Sequence, residues 1–195
     1  MKRTILLTLA AMMITLAAAQ TRTGFEKSLN VGYSVGVGDF KNDIISLSMI
    51  GGYRFNPTFF TGIGIGVGYS NALSSVQIAN NVTSTTRMDA ILIPVFANAK
   101  VNLTTDSRVS PFLSLNVGYT FDVNQYLKHA PGFMLQPNVG LDFQLADRGS
   151  MYFQIGFNMQ NFDYHYMRDV GTAHAVIESR SELFNSIDLR IGFTF

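Results

Sequence analysis

Apolar and polar residues alternate along most of this chain. Leu29, Val31, Tyr33, Val35 and Val37 interleave with Asn30, Gly32, Ser34, Gly36 and Gly38. The same two-residue period recurs from Ile45 to Phe55, Phe59 to Tyr69, Asp89 to Leu103, Leu113 to Phe121, Phe133 to Leu145, Met151 to Met159 and Leu183 to Phe195. A period of two places one set of side chains on each face of a β-strand. Eight strands are therefore predicted. In all eight the apolar set is odd-numbered, although the fourth is apolar on both faces at its start, around Ile91 to Phe96.

Shared parity constrains the turns. Residues opposite one another in an antiparallel hairpin share a face, so their numbers must sum to an even total. Tight turns then hold an odd number of residues. Phe55 opposite Phe59, Leu103 opposite Val109, and Leu145 opposite Met151 meet this condition, and each spacer carries turn residues (Asn56-Pro57-Thr58, Thr105-Asp106-Ser107, Asp147-Arg148-Gly149). The connections near 71–86, 124–131 and 163–182 read as long, and Asp39 to Asn42 as brief.

The first residues follow another pattern. Lys2 and Arg3 precede an uncharged run from Ile5 to Ala19 that ends in three alanines. A charged start, a short apolar region and small residues at the end describe a secretory signal cleaved after Ala19. Residues 1–19 are thus expected to be the signal peptide and 20–195 the barrel domain. The run falls short of the ~20 residues of a spanning helix, and the chain has no cysteine to carry a lipid.

Composition decides what the apolar faces meet. The chain of 195 residues is 47% hydrophobic yet only 14% charged, with 17 Gly, 16 Phe and 8 Tyr. Soluble domains carry about 25% charged residues. Here the polar faces are Gly, Ser, Asn and Gln, the chemistry of a lumen more than of a wet surface. The strands supply the ~9–11 residues that a tilted membrane-spanning strand needs. The expected fold is all-β, an eight-stranded antiparallel up-and-down transmembrane β-barrel with its apolar face toward lipid. Short turns would face the periplasm and long loops the exterior. Tyr53, Phe55, Phe59, Phe143, Phe153, Phe193 and Phe195 cluster near the short turns, and Tyr69, Tyr119, Phe121 and Phe133 near the long loops, as two interfacial girdles require. A last hairpin standing above the membrane and a ten-stranded barrel read alike in this pattern.

The strand pattern over residues 25–195 resembles the small eight-stranded outer-membrane barrels of the OmpX and OmpA-domain type. The terminal Leu189, Ile191, Phe193 and Phe195, alternating and closing on Phe, resemble the insertion signal read by the barrel assembly machinery. The stretch Ile91 to Lys100 (ILIPVFANAK) is similar to the fourth strand of the PorT-like outer-membrane beta-barrel-domain family. The resemblance implies export to the outer membrane of a Gram-negative-type envelope. It also implies contact with outer-membrane lipid and lipopolysaccharide, and insertion by the assembly machinery.

Candidate chemistry is sparse. Arg54, Lys100, Asp142, Asp188 and Arg190 fall on the inward parity, with Asp122 nearer the outside. In a narrow lumen such charges must be paired, so a packed salt-bridge plug is expected, with an ion path as the alternative. Gly62, Gly64, Gly66 and Gly68 lack the spacing of a phosphate loop. On an inward face they leave room for long side chains from across the barrel. His129, His165 and His174 fall in or beside the long segments without a recognisable acyl-transfer motif. Phe162, Tyr164 and Tyr166 switch to even parity, which predicts a bulge near Gln160-Asn161 and a projecting aromatic hairpin able to recognise another protein. The expected function is a monomeric barrel, not an enzyme, without cofactor, metal or nucleic acid. Its role would be structural or recognition: membrane integrity, adhesion, or docking of an envelope partner through the external loops. The alternatives are a narrow porin-like pore and a lipid-modifying enzyme.

Overall fold

The computed structural model describes residues 23–37, 42–78, 82–104, 107–123, 132–146, 149–169 and 175–195. The expected signal peptide, residues 1–19, lies outside them, as do 38–41 and 124–131. Eight strands follow in chain order: β1 Gly24–Val37, β2 Asn42–Arg54, β3 Phe59–Ile78, β4 Val82–Asn102, β5 Val109–Asp122, β6 Gly132–Ala146, β7 Gly149–Asp169 and β8 Ala175–Thr194. Each is antiparallel to the next, and β8 pairs with β1 to close the barrel. The seam includes a reciprocal pair of backbone bonds, Lys27 N to Phe195 O at 2.9 Å and Phe195 N to Lys27 O at 2.8 Å.

Following one row of partners around the barrel shows its stagger. Glu26 pairs with Gly52, then Gly62, Asn98, Asn116 and Gln136 follow. On the far side Asn158 pairs with Ser186 and Ser186 with Gly36, ten residues beyond Glu26 on the same strand. This tilt is what closes eight strands around an interior wide enough only for side chains. Even-numbered residues turn inward and are largely buried, while odd-numbered apolar residues are exposed on the outside.

Two of the three short turns differ from the expected register by two residues, which preserves parity. Phe55 meets Phe59 as expected: Phe55 N donates to Phe59 O at 3.0 Å, and Asn56 Oδ1 accepts from Thr58 N and Phe59 N. Leu103, however, donates to Pro111 O at 2.8 Å, so it meets Pro111 and not Val109 across the β4–β5 turn. Here Ser110 Oγ turns back to Thr104 O and accepts from Asn102 Nδ2, tying a wider turn together. Met151 faces Phe143, not Leu145, because a register shift between Gln144 and Ala146 takes up the slack.

The strands are unequal. β3–β4 pair out to Ile78 and Val82, and β7–β8 to Asp169 and Ala175, well beyond the tops of their neighbours. Segments 71–86 and 163–182 are therefore mostly paired strand rather than loop. The bulge expected near Gln160-Asn161 is absent from the β7–β8 ladder, whose register runs unbroken from Ser150–Thr194 to Asp169–Ala175. The polarity of the sequence thus switches here without any change in the backbone register. Because the strand order places these two tall hairpins on opposite sides of the ring, the far rim is a saddle. The described ladders also skip two pairs of rungs beside prolines, between Ile65–Val95 and Gly68–Leu92 next to Pro94, and between Leu135–Met159 and Asn138–Gly156 next to Pro137. Proline brings no N–H to a ladder.

The outside carries two aromatic bands. Tyr53, Phe55 and Phe59 touch near the short turns, with ring centroids 5.2 and 5.9 Å apart, as do Phe143 and Phe153 at 6.0 Å. Tyr119 and Phe133 meet edge-on at 5.9 Å near the other rim. An apolar outer belt between aromatic girdles is the surface of a barrel solvated by lipid.

Candidate functional site

The lumen is where this fold concentrates its polar chemistry. At the short-turn end Arg54, last in β2, is held by Glu26 of β1. Its Nη2 donates to Glu26 Oε2 at 3.0 Å and its Nε to Oε1, while Nη1 reaches Asn102 Oδ1 and Pro57 O at 3.2 Å. The guanidinium also lies 5.7 Å from the Phe60 ring centroid. Lys100 of β4 donates to Asp142 Oδ2 of β6 at 2.5 Å, with its ammonium 4.1 Å from the Phe112 ring and 4.6 Å from that of Tyr152. Arg190 Nε holds both oxygens of Asp188 on its own strand at 2.8 and 2.7 Å. Each fork or ammonium is thus pinned by a carboxylate and, for two of the three, by an aromatic face.

A relay of carboxamides leads across the barrel to the deepest carboxylate. Asn98 Nδ2 donates to Asn116 Oδ1 at 2.6 Å, Asn116 Nδ2 to Gln136 Oε1 at 2.9 Å, and Gln136 Nε2 to Asp188 Oδ2 at 2.9 Å. Every donor in this chain points toward Asp188, whose negative charge orients it. Gln136 has no accessible surface, and the relay spares it an unmade bond, which inside a protein carries a penalty of about 1–3 kcal/mol. Tyr152 adds a second bridge by donating to Asn30 Oδ1.

Aromatic residues fill what the polar network leaves. Phe96 sits in the register between Gly64 and Gly118, Phe112 opposite Gly140, and Tyr152 opposite Gly192. A Cβ built on Gly64, Gly140 or Gly192 would overlap the ring beside it. The inward glycines make room, as the sequence indicates, but for side chains on the adjacent strand rather than across the barrel. Ile50, Phe60, Phe96 and Met134 form a buried apolar cluster. The apolar inward residues Leu92 and Phe96 explain why the fourth strand reads as apolar on both faces.

The structure brings all five inward charges named from sequence into the lumen. Lys100 joins Asp142 and Asp188 joins Arg190, whereas Arg54 is joined by Glu26, which lies before the alternation became readable. Glu26 was hidden because the outward positions beside it are Phe25 and Lys27. Lys27 breaks the apolar parity while leaning over the Phe25 ring at 5.8 Å, a long cation at the interface. The carboxamide relay and Tyr152 are likewise not legible in the alternation alone. Their signal was inward parity combined with a glycine or a second amide at the facing rung. Asp122 is half-buried and paired in register with Leu92. Leu189, Ile191 and Phe193 face outward on the closing strand, and Phe195 binds Lys27 through its backbone. For Phe162, Tyr164, Tyr166 and His165 the described structure is backbone alone, in β7, and His129 and His174 lie outside the described residues. Among the described residues no cluster of His, Asp and Glu has the makings of a metal site.

No family model matches this chain, and no curated protein matches it in sequence. Solved structures do. The crystal structure of the outer membrane protein OprG from Pseudomonas aeruginosa superposes with a TM-score of 0.59 at 12% identity, over 90% of this chain and 99% of that one. This chain has the fold of a small outer-membrane β-barrel. The outer membrane protein AlkL, solved by solid-state NMR in DMPC bilayers, superposes on the barrel with a TM-score of 0.52 at 14% identity, covering 91% of this chain and 92% of that one. At such identities the likeness is one of fold, and the lumen of the barrel has to be read from its own residues.

Proposed function

We propose that this outer-membrane barrel is a sealed anchor with a structural or recognition role, displaying two tall hairpins on the outer face of the membrane. The observation that carries the reading is the filled lumen. Phe96, Phe112, Tyr152 and Gln136 occupy its middle, and Arg54, Lys100 and Arg190 are each tied to a carboxylate. A path for ions would have to break buried pairs, and leaving one such charge unpaired is unfavourable by about 3–5 kcal/mol. In this orientation the short turns and the Glu26–Arg54 pair face the periplasm. The β3–β4 and β7–β8 hairpins stand outside, where their long edges are suited to adding a strand from an envelope or surface partner. The leader at residues 1–19, cleaved after Ala19, would bring the chain to this membrane, and the Leu189–Phe195 segment would present it to the assembly machinery.

Planar-bilayer recording from the purified barrel separates this reading from the narrow pore. The expected trace is a closed baseline broken at most by brief events, with no stable conductance level. A large, long-lived open state in the native protein would favour the pore.

A further inference from the structure

The saddle shape of the far rim leaves backbone edges without a neighbour. Among the described residues, β3 parts from β2 above the Asn42–Ala72 rung, so its residues 73–78 pair with β4 alone. β8 parts from β1 above Val37–Asn185, freeing one edge of 175–184. β4 parts from β5 above the bond from Val123 N to Ile91 O, freeing 82–90, and β7 parts from β6 above Met134–Gln160, freeing 161–169. Each free edge is a row of N–H and C=O groups that can template a further strand. Proteins usually blunt such edges with proline, lysine or bulges. These four stretches contain no proline and no lysine, and the β7–β8 ladder has no bulge.

The edges face one another across two notches. One lies between β8 and β3 above the β1–β2 end, the other between β4 and β7 above the β5–β6 end. Each spans three strand spacings, about 14 Å, which is room for two more strands. The tall hairpins are themselves two-stranded ribbons. We propose that the far rim binds a second copy of this chain, rim to rim, each copy seating its hairpins in the other's notches. The inference rests on the reading of these hairpins as recognition elements, and it names their partner.

Strand direction and order fit this arrangement. A half-turn about an axis across the ring reverses every strand and the order in which strands follow, and keeps their tilt. With the axis passing beside β3 and β7, β3 meets β3 of the second copy, β7 meets β7, and β4 meets β8 twice. Every contact is then antiparallel and joins one free edge to another. The notch floors limit how deeply the hairpins seat, so pairing falls at their upper ends, with the top of β4 beside the top of β8. Residues 82–86 of β4 and 73–78 of β3 carry no charge, so no like charges oppose each other there. A hairpin of an unrelated protein would fill one notch, whereas a second saddle fills both at once. The contact is isologous and closes at two copies. Because the two barrels point in opposite directions, it joins two apposed membranes, while each barrel stays single in its own.

Lipid nanodiscs holding one barrel each test this, because they prevent side-by-side contact and leave the rims free. Native discs are expected to double in mass reversibly as their concentration rises, read by sedimentation. The chain has no cysteine, so single cysteines report which strands meet. Gln77→Cys, near the two-fold axis on β3, is expected to oxidise to a dimer roughly tenfold faster than Thr58→Cys at the short turns, because paired edges raise the effective concentration of the thiols. On β4, Thr83→Cys or Thr85→Cys is expected to join Ser179→Cys of β8 in a mixture, and not to join itself. Heat-shifted migration on a gel checks that each variant is folded, and the native mass decides the matter where one is not. Discs that stay single at every concentration, dimers formed equally fast through Thr58→Cys, or β4 joining β4 would overturn the proposal. Single discs with a closed bilayer trace would remove the second copy and leave the sealed anchor standing. Paired discs with a stable open trace would do the reverse.

Discussion

Glu26→Met is expected to destabilise the barrel by about 3–5 kcal/mol, measured as a lowered urea midpoint for unfolding from lipid vesicles. The variant strands the Arg54 guanidinium in the lumen, with Asn102 Oδ1 and Pro57 O as its remaining polar partners. Those neutral acceptors hydrogen-bond the fork but do not neutralise it. The double variant Glu26→Met with Arg54→Met is expected to return close to the native midpoint, because replacing both members of a buried pair by apolar side chains is often neutral or better. The pair thus matters less as a source of stability than as a charge that must not be left alone. A single variant within about 1 kcal/mol of native would show Arg54 to be solvated rather than buried.

Gly64→Leu has the second large effect. Its side chain would enter the space of the Phe96 ring, which lies beside it on β4 and is buried. Overpacking of this kind destabilises by about 1–3 kcal/mol. Phe96→Ala alone leaves a cavity between Gly64 and Gly118, a loss of about 3–5 kcal/mol. Combined, the leucine takes up part of the vacated volume, so the double variant should be less damaged than the sum, by about 0.5–3 kcal/mol. Strict additivity would mean that residue 64 and the Phe96 ring do not share a space.

These two sites show what was legible in the chain and what was not. Parity is readable along most of each strand, because lipid on one face and a narrow lumen on the other impose a period of two, and it fails at Lys27, at the start of β4 and in the tall hairpins. Register was less so. Leu103 and Leu145 each slipped by two residues, a shift that alternation cannot detect because it returns every side chain to the same face. The full height of β3–β4 and β7–β8 is not legible for a related reason, since the odd-numbered apolar parity ends near Tyr69 and Met159 while the strand pairing runs on.

Inside the barrel, the charged residues identified themselves, but their partners did so unevenly. Lys100 and Asp142 lie 42 positions apart, and only the stagger of the strands brings them to one level. Glu26 was masked by Lys27 on the lipid side. The inward rings Phe60, Phe96, Phe112 and Tyr152 run against the expectation of a polar lumen, yet each faces space opened by a glycine. Pairing a large residue with a glycine at the same rung is a signal that becomes visible only when the register is known.

Odd-numbered side chains of the spanning strands meet lipid, and even-numbered ones pack a closed lumen. Because the chain contains no cysteine, single cysteines carrying a nitroxide can be placed in turn at Ser114, Leu115, Asn116 and Val117 of β5 without a background label. In bilayers, the labels at 115 and 117 should be accessible to oxygen and shielded from a water-soluble nickel chelate. Those at 114 and 116 should be immobilised and poorly accessible to oxygen. High oxygen access at the even positions, or no alternation along the strand, would contradict the account.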